Sequence, residues 1–150
     1  MIISGTITLQ APQDRVWAAI WDIPTLASWV PGCTNAEEIG EGVYRARLEQ
    51  RVGFLTAAFD LRLEVVETEP PNRLRLHGEG EDRRLRSNVQ VDSEVRVSPI
   101  DDGAATELAY RHDISVFGRL GSLGFPIIQK KAREIEAEFA RRARAGLVEG

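Results

Sequence analysis

Residues Arg84–Pro99, "RLRSNVQVDSEVRVSP", decide the fold. Leu85, Ser87, Val89, Val91, Ser93, Val95 and Val97 fall on one phase of a period of two. Arg84, Arg86, Asn88, Gln90, Asp92, Glu94 and Arg96 fall on the other. Successive side chains of a strand point to opposite faces, so this pattern predicts a long strand with one apolar and one wet face. Such strands belong to antiparallel sheets solvated on one side, and the apolar face must be covered by something else.

The same alternation runs outward in both directions. Upstream, Phe59, Leu61, Leu63 and Val65 oppose Asp60, Arg62 and Glu64; "EPPN" (69–72) turns the chain, and Leu74 and Leu76 resume the pattern. Further back, Gly40 and Gly42 mark a hairpin, after which Tyr44, Ala46 and Leu48 oppose Arg45, Arg47 and Glu49. Downstream, "DDG" (101–103) is a turn signal, followed by alternation through Thr106, Leu108, Tyr110, His112, Ile114 and Val116. At the start of the chain Ile3, Ile7 and Leu9 read as one more strand.

The period becomes helical twice. Pro12 suits a helix start, and Val16, Trp17, Ile20 and Ile23 follow at helical spacing; Pro24 closes this helix, and "TLASWV" (25–30) adds a short turn ended by Pro31 and Gly32. From Gly118 onward Leu120, Leu123, Ile127, Ile128, Ile135 and Phe139 form a stripe. Lys130, Arg133, Glu136, Arg141 and Arg144 are assigned to the opposite side. The order predicts an α+β helix-grip fold in a single domain, 1–150. A strongly curved antiparallel sheet of about six to seven strands wraps a long C-terminal helix, with two short helices after the first strand. A cavity between helix and sheet follows from that geometry.

Composition narrows the function. The net charge of -4 over 150 residues argues against nucleic acid, whose binding calls for a clustered basic surface. One cysteine excludes an internal disulfide and a thiolate zinc cluster. The two histidines make no His-x-x-His or Glu-x-x-His pair, so neither a metal nor another cofactor is expected. The N-terminus has no basic n-region, and no apolar run is long enough for a bilayer; the expectation is a cytoplasmic protein, with peripheral contact at the inner face of the membrane left open.

Six segments carry a resemblance: "IPTLASWV" (23–30), "PGC" (31–33), "RVGF" (51–54), "HGEG" (77–80), "TELAY" (106–110) and "FGRLGSLG" (117–124). In this order, across Ile3 to Phe139, they resemble the carbon monoxide dehydrogenase G-subunit family, within the START-like (SRPBCC, polyketide cyclase/Bet v 1-like) helix-grip superfamily. The resemblance implies an accessory protein of a molybdenum-containing hydroxylase that assists assembly, membrane recruitment or electron hand-off and carries no metal centre itself. Better-known members have a membrane-linked C-terminal extension. The stop at Gly150 departs from that pattern, and no permanent anchor is expected.

The candidate ligand-binding residues are the apolar wall and two polar groups in it. The wall comprises Trp17, Leu26, Trp29, Val30, Phe59, Leu61, Leu63 and Leu76, continued by Val89, Val91, Leu123 and Ile127. Trp29 and Val30 are read as a gate, and all of the wall equally suits a plain core. Tyr110 and His112 share a strand face: they either meet the polar end of a hydrophobic ligand, with catalysis by His112 as a further alternative, or are satisfied by Ser87, Ser93 or Tyr44. Cys33 reads as a small residue packed at a helix-to-strand turn. His77 falls on the outward phase unless Gly78 and Gly80 mark a bulge. The leading expectation is a non-catalytic protein holding a quinone- or lipid-like molecule. An enzyme of cyclase or hydrolase type, a pure interaction module and a homodimer stay open beside it.

Overall fold

The structure, a computed structural model, describes residues 1–149, with side chains described through Leu147. Seven strands form one antiparallel sheet: β1 (Ile2–Leu9), β2 (Cys33–Gly40), β3 (Val43–Val52), β4 (Leu55–Glu69), β5 (Arg73–Asp82), β6 (Ser87–Ile100) and β7 (Ala105–Gly118). Their order is β1-β7-β6-β5-β4-β3-β2, so the chain runs as a meander from β2 to β7 and β1 closes the edge beside β7. Helices α1 (Gln13–Trp21) and α2 (Ile23–Ser28) link β1 to β2, and α3 (Phe125–Glu149) follows a short 3-10 turn at Gly121–Leu123.

The alternation read from the sequence fixes which face is wet. Ile3, Ala46, Ala57, Leu74, Val95, Val97 and Leu108 are buried on the inner face, while Arg45, Arg47, Asp60 and Arg62 are exposed on the outer one. His77 keeps the outward phase: its Nδ1 lies 2.7 Å from Asp92 Oδ1 and its Nε2 3.1 Å from Glu79 Oε1. No bulge occurs at Gly78 or Gly80. The register of β4 against β5 shifts instead between Val65 and Glu67, leaving Val66 exposed.

Two corrections concern residues next to the site. Leu85 lies in the β5–β6 turn rather than on the strand, held there because Asp82 accepts the Leu85 amide at 3.1 Å and the Ala58 amide at 2.8 Å. Burial of Asp82 favours its protonated form, but these two amides and nearby Arg84 outweigh it and hold the carboxyl below the usual range. Glu136 does not lie on the outer side of α3. It accepts a hydrogen bond from the Tyr110 hydroxyl, because the 3.6-residue period groups it with Ala132, Ala140 and Ala143.

The core is divided. One cluster gathers Leu9, Val16, Ile20, Trp29, Leu74, Val97, Leu108 and Leu147 under α1, α2 and the C-terminal half of α3. The other gathers Val52, Leu55, Ala57, Phe59, Leu85 and Leu120 under the N-terminal turns of α3. The backbone of α3 makes its main approaches to β1, β3 and the 3-10 turn, so it bridges the concave sheet rather than lying flat on it.

Candidate functional site

The strand register places inner-face residues in rows across the sheet. Leu63 pairs with Gly78, Gly78 with Val91, and Val91 with Ile114. The next row runs Val65, Leu76, Ser93, His112 and Ile3. Leu63, Val91 and Ile114, like Ile135 of α3, belong to neither core cluster, and each is only half-buried. The inner face is sealed at both ends and less covered in its middle row, and that partly open row is the candidate groove. A well-packed interior at this place would bury those side chains completely.

Two glycines of its floor lie beneath the side chains of the neighbouring strands. A Cβ on Gly80 would sit 2.6 Å from Leu61 Cδ2 and 2.9 Å from Val89 Cγ1, and one on Gly78 would sit 3.0 Å from Leu63 Cδ2. Both positions therefore let neighbouring strands lean across β5. The "HGEG" segment thus has a structural reading that alternation alone leaves out: its two inward positions carry no side chains.

Polar groups are concentrated on one side of the groove. Ser93 Oγ lies 2.8 Å from His112 Nδ1, and the His112 ring stacks on Tyr110 with centroids 5.2 Å apart. Burial lowers the His112 pKa, opposed by the charge of Glu136, so the imidazole is neutral near pH 7. Burial and the Glu136 carboxylate both push the Tyr110 phenol up, which keeps it a donor. Arg133 Nη1 holds Glu136 Oε1 at 2.9 Å from the other side. With Nδ1 engaged by Ser93, Nε2 is the imidazole atom left to meet a ligand. Of the three neighbours expected from sequence, Ser93 is used; Ser87 instead bonds the Leu120 amide at 2.9 Å.

The structure distributes the expected wall residues unevenly. Leu61 and Val89 pack half-buried against the second core cluster and Leu76 and Tyr110 against the first, while Leu63, Val91 and His112 lie half-buried between them on the same inner face. Trp17, Trp29 and Phe59 are buried inside the core clusters, and Leu26 and Leu123 pack against them half-buried. Trp29 is not a gate: it is 6 % exposed and meets the Phe139 ring edge-on at 5.9 Å, with Gly146 of α3 against its indole. Val30 is half-buried at the end of α2. Ile127 turns outward and is 39 % exposed, because Leu123 and Ile128 fill the inward phase of that turn. Sequence reasoning missed Ile114, Ile135 and Glu136 as groove residues, although the first two lie on the apolar phases it identified.

Cys33 opens β2 half-buried, and burial pushes its thiol pKa up, away from the reactive thiolate. Its neighbour Gly32 has φ +79°, and a Cβ there would sit 2.1 Å from the Glu49 carbonyl oxygen.

A concave antiparallel sheet gripping one long helix across a groove is the START-like helix-grip architecture. The model of the carbon monoxide dehydrogenase G-subunit family (CoxG) matches residues 5–147, and the chain belongs to that family. Solved structures agree on the fold. A conserved protein from Geobacillus kaustophilus is 24% identical, with a TM-score of 0.85 over 99% of this chain and 96% of the other. A START superfamily protein from Mycobacterium smegmatis is 14% identical, with a TM-score of 0.71 over 99% and 97%. The Zhui aromatase/cyclase from Streptomyces sp. R1128 is 18% identical, with a TM-score of 0.68 over 98% and 93%. No curated protein matches the chain.

Proposed function

We propose that the groove holds a hydrophobic small molecule, quinone- or lipid-like, without transforming it, and that the protein serves as accessory factor to a molybdenum-containing hydroxylase of the carbon monoxide dehydrogenase type. The observation that carries the ligand reading is the unsealed middle row. Leu63, Val91, Ile114 and Ile135 stay half-buried between two closed cores, with Gly78 in the centre of their floor. An apolar ligand occupying that gap would complete their burial, at about 25 cal/mol for each Å² removed from water. Its carbonyl or hydroxyl end fits beside His112 Nε2, the kind of single well-placed polar contact that orients a ligand in an apolar site.

The accessory role rests on family membership, and the expected setting is the cytoplasm. Among the described residues no helix is long and apolar enough to cross a membrane.

Two measurements test the proposal. Organic extraction of the purified protein followed by mass spectrometry should recover an apolar molecule, and titration with a soluble short-chain benzoquinone should quench tryptophan fluorescence saturably. His112→Ala should weaken the quinone about fivefold to tenfold, the worth of one hydrogen bond in a shielded site. An empty protein that is indifferent to quinone removes the ligand reading. Pull-down of the purified hydroxylase tests the partner separately.

A second reading follows from His112 itself. A neutral imidazole fixed at Nδ1 presents the Nε2 geometry of a general base, so an enzyme of cyclase or hydrolase type would use the same groove. That reading requires turnover that vanishes in His112→Ala while ligand affinity falls only modestly.

A further inference from the structure

The three loops at the α3 N-terminal end of the sheet form one rigid platform. Arg84 Nη2 donates to the Thr56 carbonyl at 2.6 Å, Asp82 holds the Ala58 amide, and Ser87 Oγ accepts the Leu120 amide. Beneath them Val52, Leu55, Leu85 and Leu120 are buried. Above them, four large apolar side chains are exposed: Phe54 at 76 %, Phe125 at 57 %, Phe117 at 50 % and Ile127. These belong to one neighbourhood, because Gly53 lies against Ile127 and Leu123, and Phe117 and Phe125 line the same pocket.

Charge is segregated at the same end. Segments 51–56, 83–86 and 117–131 hold seven of the 19 lysines and arginines and none of the 23 acidic residues. Arg51, Arg86 and Arg119 are exposed and have no carboxylate partner among the described residues. The basic C-terminal part of α3 is different. Arg141 and Arg142 are bound to Glu138, and Arg144 reaches the Thr8 carbonyl at 3.4 Å. A protein of net charge -4 thus presents three exposed phenylalanines at the end of the molecule that carries Arg51, Arg86 and Arg119, three exposed cations that no carboxylate neutralises among the described residues. Aromatic tips suit the headgroup–acyl boundary of a bilayer, and the surrounding cations suit anionic headgroups.

We infer that this pole docks on an anionic lipid surface, with Phe54, Phe117, Phe125 and Ile127 in the interface and Arg51, Arg86 and Arg119 on the headgroups. The pocket at its edge, about 260 Å³, is lined by Ile114, Val116 and Ile128 and opens between the end of β7 and the first turn of α3. Ile114 also belongs to the open row of the groove, so the docked pole faces the bilayer with the edge of the ligand site. The inference stands independently of what the groove holds.

Co-sedimentation with phosphatidylcholine vesicles, with and without phosphatidylglycerol, tests it. Wild type should pellet with the anionic vesicles, weakly with neutral ones, and less as salt rises. Arg51→Glu, Arg86→Glu and Arg119→Glu together should lower partitioning more than a hundredfold, at about fivefold for each cation lost. Phe54→Ser with Phe125→Ser should also release the protein, while circular dichroism and the urea midpoint stay at wild-type values. Quinone quenching should be unchanged in the arginine variant, which separates failure here from failure of the groove reading. Equal binding to both vesicle types, variants that still pellet, or a wild-type dimer dissolved by the phenylalanine substitutions would overturn the inference.

Discussion

The Tyr110 hydroxyl of β7 donates to the Glu136 carboxylate of α3, tying sheet to helix across the groove. Glu136 is also held by Arg133, and the phenol stacks on His112, so one bond links the helix to the polar side of the site. Tyr110→Phe removes the donor and leaves a partly desolvated carboxylate with one partner fewer. The expected loss is about 1–2 kcal/mol in urea unfolding, since hydrogen bonds to charged groups exceed neutral ones. A double-mutant cycle with Glu136→Gln should return a coupling of about 1 kcal/mol. Strict additivity would show that the two side chains do not meet.

Gly32 and Cys33 should separate cleanly on substitution. Gly32→Ala meets a backbone oxygen that cannot rotate away, at a positive φ, and should cost at least about 2 kcal/mol. Cys33→Ala removes only a half-buried sulfur and should change stability by less than about 1 kcal/mol, with quinone affinity untouched. Thiol-blocking reagents that abolish ligand binding in wild type but not in Cys33→Ala would contradict the structural role given to this residue.

Most of this architecture was legible because each strand keeps one apolar phase over a long run. The β6 alternation from Ser87 to Val97 leaves a single face to bury, and the helical stripe of α3 supplies the cover. What period cannot reveal is how far the cover stands from the face. Trp29 and Val91 are equally apolar and equally inward in sequence, yet one is sealed by Phe139 and Gly146 and the other faces the gap. Glu136 escaped for a related reason: its charge suggested solvent, whereas its helical phase and Tyr110 place it at the groove.

If the groove is a real void, filling it should not hurt the fold. Val91→Phe extends from the half-buried central row into the gap beneath α3. The expected urea midpoint is equal to or above that of wild type, with quinone quenching lost. Leu74→Ala, in the sealed core, should instead cost about 2–5 kcal/mol. A Val91→Phe protein destabilised as severely as Leu74→Ala would mean that the middle row is already packed.

The two histidines should bend the pH dependence of stability in opposite senses. His112 has a folded pKa below its ordinary value of 6.5, through burial, so protonation favours the unfolded chain. Its contribution is constant above 6.5 and turns unfavourable as the pH falls through that value. Tyr110 and Glu136 are the titratable groups that face it, and the Glu136 charge softens the effect without reversing it. His77 has a raised pKa because it donates to Asp92 and Glu79; its stabilisation is complete below 6.5 and fades as the pH rises through the higher folded value. Urea unfolding from pH 5 to 8 should therefore show His112→Gln losing less stability toward acid than wild type, and His77→Gln losing more. The His77 difference should shrink with added salt, because that cluster lies on the wet face, while the His112 difference should persist. A His112→Gln profile parallel to wild type throughout would mean that the imidazole is solvated, and with it the polar anchor of the groove.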